Sequence, residues 1–280
     1  MPLRVENLCF GYGRGRAVLS GLSAAFEPGG VTALVGPNGS GKSTLLRLLL
    51  GLLRPRSGRV TLDGRDLLRI PAPERARRLA FVPQRPAVSF AYPVRRVVAF
   101  GLHAGAMPGR DADRRAMEAL ERLGLADRAD EPFGTLSVGQ QQRAALARAL
   151  AQLGPGLERG GPPLFLLVDE PTSAMDPRHA LEAMDLLRRL AASSVGVVVA
   201  MHDLSLARRY ADRALVLDKA GRSVAHGPAG AALGAEVLER VFGVRFAELR
   251  DPESGAVAAV PVGAVSPPIA CSGAEAGTPG

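Results

Sequence analysis

Apolar residues along this chain fall into short solid runs separated by longer stretches with helical spacing. Val31–Val35, Leu79–Val82, Leu164–Val168, Val195–Met201 and Ala214–Leu217 are brief apolar runs bounded by turn or charged residues, the pattern of strands covered on both faces. Residues 3–8 and 17–26 read as further strands around the glycine-rich turn Gly11–Gly15. Ser43–Leu53 is apolar nearly all round and predicts a buried helix. Residues 178–191 predict an amphipathic helix, with Leu181, Met184, Leu187 and Leu190 on one face. Strands alternating with helices imply an α/β fold with a mainly parallel sheet.

The stretch from about 86 to 160 breaks this alternation. It carries helical patterns at Arg114–Leu123 and Gly139–Leu153 and little strand signal, so it predicts a helical subdomain inserted into the α/β core. Gly154–Pro163 reads as a flexible insertion before the Leu164 strand. From Asp251 the chain turns Ala/Gly/Pro/Ser-rich, predicting a loosely ordered tail over 251–280, particularly past Pro267. No internal repeat is visible, which leaves a single domain over 1–250.

Two short motifs carry chemistry. Gly36-Pro37-Asn38-Gly39-Ser40-Gly41-Lys42-Ser43-Thr44 lies between a predicted strand and a predicted helix and matches a phosphate-binding loop. Its glycines let successive backbone N–H groups turn toward phosphate oxygens, and the following helix adds a positive N-terminus. Lys42 supplies a mobile charge for the β- and γ-phosphates of ATP, and Ser43 offers a hydroxyl to Mg²⁺. In the second motif, the Leu164–Val168 strand delivers Asp169 and Glu170 at its C-terminal end, where α/β sheets bind ligands. Asp169 suits the oxygen shell of Mg²⁺, and Glu170 suits the polarisation of a water attacking the γ-phosphate.

Charge and composition change little. The formal net charge is +8, but lysine occurs only at Lys42 and Lys219, and no basic block is interleaved with aromatics, so no nucleic-acid partner is expected. No run reaches the roughly 18 apolar residues of a membrane span. The greasiest, Leu45–Leu53, contains Arg47 and ends at Arg54-Pro55. Met1–Glu6 lacks a basic-then-apolar leader, which predicts a cytoplasmic protein that borrows any membrane role from a partner. Cys9 and Cys271 fit no metal spacing, and Cys9 reads as reduced and structural. His103, His179 and His226 read as structural or solvent-exposed.

Leu136-Ser137-Val138-Gly139-Gln140, between these two motifs in the chain, opens the predicted Gly139–Leu153 helix and resembles the Leu-Ser-Gly-Gly-Gln signature of the ATP-binding cassette family. The resemblance runs from residue 3 to about 245. It implies a phosphate-loop NTPase core with an N-terminal antiparallel β subdomain and an inserted helical subdomain. It also implies roles by position. Tyr12, or Phe10 beside it, stacks on adenine. Gln84 senses Mg²⁺ and water and touches the membrane partner. Ser173-Ala174-Met175-Asp176 crosses a dimer interface, and His202 contacts the γ-phosphate. Val138 departs from the signature, whose first glycine it replaces, while Ser137 and Gly139 keep the contacting positions and Gln140 closes the motif.

The same resemblance implies a head-to-tail homodimer in which Lys42 and its loop hold ATP from one copy and Ser137 and Gly139 complete the site from the other. Glu170 then acts as base and His202 holds the γ-phosphate. Phe90–Gly101, Val237–Val244 and the Gly154–Pro163 insertion resemble importers of iron chelates, haem and cobalamin, with hemin as the leading cargo. Integral-membrane permease subunits and, through them, a substrate-binding protein are the implied partners, and the cytoplasmic face of the membrane the implied location. Ferric siderophore and cobalamin are the alternative cargoes. An exporter and a soluble cassette acting on ribosomes or DNA are the alternative functions.

Overall fold

A computed structural model describes residues 2–13, 15–105, 109–173, 175–253 and 257–264. Strands β1 (Leu3–Phe10) and β2 (Leu19–Phe26) pair antiparallel, and β3 (Val31–Val35) runs into the loop that opens helix α1 (Lys42–Leu49). Then come β4 (Ser57–Leu62), β5 (Arg65–Asp66), α2 (Ala72–Ala76) and β6 (Leu79–Val82). Helices α3 (Val94–Ala99), α4 (Gly109–Arg122) and α5 (Val138–Glu158) pack on one another before β7 (Leu164–Asp169). The chain continues through α6 (Pro177–Ala192), β8 (Val195–Ala200), α7 (Leu204–Tyr210), β9 (Arg213–Leu217) and β10 (Ser223–Pro228). Helices α8 (Ala229–Ala232) and α9 (Ala235–Phe242) and the hairpin β11 (Val244–Arg250)–β12 (Val257–Ala264) close it.

The central sheet has the order β10-β9-β3-β8-β7-β6, with only the β10–β9 pair antiparallel. A second, antiparallel sheet, β2-β1-β4-β5, forms in the N-terminal third of the chain. The central strands are buried on both faces, and the period-two alternation of β7 divides the core. Leu164, Leu166 and Val168 join the cluster that includes α5 and α6, while Phe165 and Leu167 join the one built by α1 and the N-terminal sheet. Parallel strands all end on one side, so β3, β6, β7 and β8 deliver their following loops to a common edge. Among the described residues no helix is long and apolar enough to cross a membrane.

Two regions differ from the sequence expectation. Gly154–Pro163 is not a loop throughout, because α5 continues past Pro155 to Glu158. Proline gives up one helix hydrogen bond there, but a bidentate pair from Arg115 to Glu158, at 2.6 Å each, holds the last turn from α4. Gly156 also lies so close to Leu164 that a Cβ would sit 3.1 Å from its side chain. The expected tail is not structureless either. Val257–Ala264 forms β12, paired along β11 and packed on α7. Alternation in Val257-Ala258-Ala259-Val260 is too weak to announce a strand, and its register comes from the partner. The expectation past Pro267 lies outside the described residues.

Phe165 is the largest test of this packing. It is fully buried, and its ring passes so near β8 that a Cβ on Gly196 would sit 2.4 Å from it. Phe165→Ala is expected to cost about 3–5 kcal/mol, read as a lower urea midpoint with an unchanged slope; a loss under about 1 kcal/mol would contradict the packing.

Candidate functional site

The loop after β3 is shaped by its glycines. Gly41 caps α1 with φ +95°, in the left-handed region, and a Cβ there would meet Leu19 Cδ2 at 2.8 Å. At Gly36 a Cβ would strike Leu217 O at 2.6 Å and Ser40 Oγ at 2.7 Å. The loop therefore folds tightly over the start of α1. Lys42, only 5% exposed, turns back into it and donates from Nζ to Gly36 O (2.8 Å) and Pro37 O (3.2 Å). Burial pulls its ammonium below the ordinary lysine value, and the Glu170 and Asp169 carboxylates pull it back up. Ser40 Oγ is buried with no partner among the described residues, a polar atom whose hydrogen bond the loop itself does not supply.

The two carboxylates leave β7 in different environments. Asp169 is buried and accepts from Ser43 Oγ at 3.1 Å. Burial raises its carboxyl above the ordinary value; the Ser43 hydrogen bond opposes this, and the charge of Glu170 adds to it. The oxygens of Ser43 and Asp169, side by side, form the hard-donor pair a divalent cation such as Mg²⁺ takes. Glu170 adopts φ +47°, rare for a residue with a side chain, while its N–H holds Ala200 O at 3.0 Å. Gln84, just past β6, donates from Nε2 to Glu170 Oε2, and His202, just past β8, pairs through Nε2 with Oε1.

A pocket of about 330 Å³ is lined by Tyr12, Val18, Asn38–Thr44 and Glu170. Tyr12 is 49% exposed, stacks edge-on against Phe10 and reaches Thr44 Oγ1 with its hydroxyl at 3.2 Å. Lys42, Ser43, Asp169, Glu170, Gln84 and His202 thus converge at one end of the sheet. Ser137, Gly139 and Gln140 do not line this pocket. They form the N-terminus of α5, where Ser137 Oγ accepts from Gln140 N (3.3 Å) and Gln140 Oε1 accepts from Ser137 N (2.8 Å), a reciprocal capping box. The amides of Val138 and Gly139 stay outside that box. Asp176 caps α6 by accepting from His179 N at 3.0 Å. Ala174, in the segment expected to cross a dimer interface, lies outside the described residues.

One linking residue escaped sequence reading. Gln142 is 2% exposed and donates to Pro83 O at 3.2 Å, tying the first turns of α5 to the turn that carries Gln84. A polar side chain on the apolar face of a helix was the available signal.

The family model for ABC transporter proteins matches residues 19–173. The chain is 43% identical over 232 residues to the hemin import ATP-binding protein HmuV of Rhizobium meliloti, which covers 83% of this chain and 88% of that protein. It is 43% identical over 256 residues to HmuV of Pseudomonas aeruginosa, 90% of this chain and 97% of that one. A solved dimeric ATP-binding cassette in a post-hydrolysis state, bound to ADP and Pi, is similar with a TM-score of 0.70 and 28% identity, over 81% of this chain and 98% of that one.

The electrostatics make a prediction without any ligand. The raised Asp169 pKa means its ionised form is disfavoured by folding, so its contribution to stability is present at low pH and is lost as pH rises through the raised value. At pH 7 the penalty is in force, and Asn keeps the acceptor for Ser43 without the charge. Asp169→Asn is therefore expected to raise the calorimetric midpoint of the nucleotide-free protein, by about 2–4 °C per kcal/mol relieved. A lower midpoint would contradict this account.

Proposed function

The chain belongs to the ABC transporter family, and we propose that it is the ATP-hydrolysing subunit of a hemin importer, working as a head-to-tail dimer beneath integral-membrane permease subunits. The observation that carries the catalytic part is the Glu170 carboxylate, at the edge of the phosphate-loop pocket, held between Gln84 and His202.

In this reading the triphosphate lies over the N-terminus of α1, with Tyr12 (or Phe10) against the base and Gly36–Thr44 wrapping the phosphates. Lys42 exchanges the carbonyls of Gly36 and Pro37 for phosphate oxygens, which gives a desolvated cation charged hydrogen-bond acceptors in place of neutral ones. Ser43 and Asp169 would hold Mg²⁺, which would supply neutralisation of phosphate charge. Gln84 orients the lytic water. Glu170 takes a proton from that water as its oxygen bonds to the γ-phosphorus and the bond to the ADP oxygen breaks. His202 donates to the γ-phosphoryl oxygens.

Ser137 and Gly139 complete the site from a second copy. Their separation from this chain's own pocket supports that assignment, as does the dimeric state of the similar cassette bound to ADP and Pi. Gln140 holds the signature turn through its capping box, and the Ser173–Asp176 segment lies at the same interface. Nucleotide shared by two copies favours the closed pair, and hydrolysis removes the shared ligand.

Closure reaches the permease through the segment after Gln84. Phe90 is 71% exposed and joins Tyr92, Phe100 and His103 in a chain of edge-on ring contacts. Such an aromatic surface fits a partner better than water. The cytoplasmic face of the membrane is then the working location, and a substrate-binding protein acts through the permease. The names of the relatives support hemin over siderophore or cobalamin, and import over export or ribosomal action.

Co-purification with the permease and ATPase measurement in lipid tests this function. Hemin-loaded binding protein is expected to stimulate turnover and a siderophore-loaded one is not. Glu170→Gln is expected to lower turnover by about 10²–10⁴-fold while ATP stays bound. Stimulation by the siderophore alone would overturn the cargo, and full activity in the variant would overturn the base.

A further inference from the structure

At the opposite end of β6 from Gln84, a cavity of about 240 Å³ opens between the start of that strand, the turn at Gly101-Leu102 and the last turns of α5. Its apolar walls are Leu102, Pro155 and Leu164, and Gly161 leaves one side without a side chain. Three arginines also line it. Arg78 is 7% exposed, and its guanidinium binds Pro163 O through Nε (3.2 Å) and Nη2 (3.1 Å) and Asp63 through Nη2. Among the described residues Nη1 has no hydrogen-bond partner. Arg77 and Arg159 add two more positive charges, and Arg159 has no acidic partner among the described residues. The one lining carboxylate, Glu74, is engaged by Arg65 at 2.7 Å.

We propose that this cavity is a regulatory site for a small amphipathic anion, an apolar body of one or two rings carrying a carboxylate. Arg159, without an acidic partner among the described residues, calls for a negative ligand beside the Arg78–Asp63 pair. The apolar walls call for a hydrophobic body, and the volume lies below the range of drug-sized sites. Position gives the site its effect, and this part rests on the proposed ATPase cycle. The cavity touches the far ends of two elements whose near ends matter to catalysis. Strand β6 runs from it to Gln84, and α5 runs from Ser137 to it. Gln152 already bridges the two, donating to Ala76 O (2.6 Å) and Leu79 O (3.0 Å). A ligand wedged beside that bridge holds β6 and α5 at one mutual angle and slows the closure that brings Ser137 to a second copy.

The test titrates the full-length protein with 1-naphthoate, its neutral analogue 1-naphthalenemethanol and the cation 1-naphthylmethylammonium, by calorimetry, with ATP binding measured in parallel. Saturable binding of the carboxylate alone is expected. Arg159→Glu, at an exposed position with no acidic partner among the described residues, is expected to weaken it by about tenfold or more, and Gly161→Leu, where a Cβ meets nothing within 4 Å, to abolish it by filling the space. Both variants are expected to keep wild-type ATP affinity, which separates loss of this site from misfolding or from failure of the nucleotide reading. Saturating 1-naphthoate is expected to slow turnover by about fivefold or more. Equal binding of the neutral analogue, or binding unchanged in both variants, would overturn the site. Binding without any change in turnover would overturn its regulatory role.

Discussion

Two adjacent carboxylates at the end of a wholly buried strand set the terms for everything around them. Every residue of β7 is buried, so Asp169 and Glu170 leave the core with little water to share. Adjacent like charges in such a place are costly unless each finds its own partners. Three different elements supply the partners. Ser43 comes from α1, Gln84 from the exit of β6 and His202 from the exit of β8. Those elements reach the same edge only because β6 and β8 flank β7 in a parallel sheet, with β3 next in line to feed α1. Sheet order and site chemistry are two descriptions of one constraint.

The same edge explains why the phosphate loop is poised. Lys42 sits desolvated among carbonyls, near two carboxylates that raise its affinity for a proton. Polyanionic phosphates would relieve the cation, and a divalent cation between Ser43 and Asp169 would relieve the carboxylate. In the proposed dimer the far side of the ligand comes from a second copy. The capping box ties Ser137 and Gln140 to each other at the start of α5, and neither lines the pocket of its own chain. Val138, where the signature has glycine, is 54% exposed between them.

Much of the fold was legible because buried parallel strands leave a strong trace. Val31–Val35 matches β3 residue for residue, and Leu164–Val168 stops one short of β7. The glycine loop and the Asp169-Glu170 pair stood out for the same reason, since they interrupt solid apolar runs. Elements whose order comes from tertiary partners were harder to read. β4 begins with three exposed residues, and β12 is held by β11 and α7 rather than by its own pattern. Proline and glycine at 154–156 suggested a break in α5, but the Arg115–Glu158 pair and the close approach to Leu164 carry the helix through. Within the site, residue types were readable but their contacts were not. That Gln84 and His202 both grip Glu170, and that Gln142 ties α5 to Pro83, depends on where three separate elements end.

The central claim is that each chain holds half of two sites. Mixing two damaged copies tests it most directly: Lys42→Ala, which spoils the phosphate loop, and Gly139→Glu, which sets a carboxylate at the signature. In a head-to-tail dimer the mixed pair contains one intact site, formed by the loop of the second copy and the signature of the first. Each variant alone is expected to be inactive, and an equal mixture to recover about a quarter of the wild-type ATPase rate. A mixture as inactive as its parents, with mixed dimers demonstrably formed, would contradict the account.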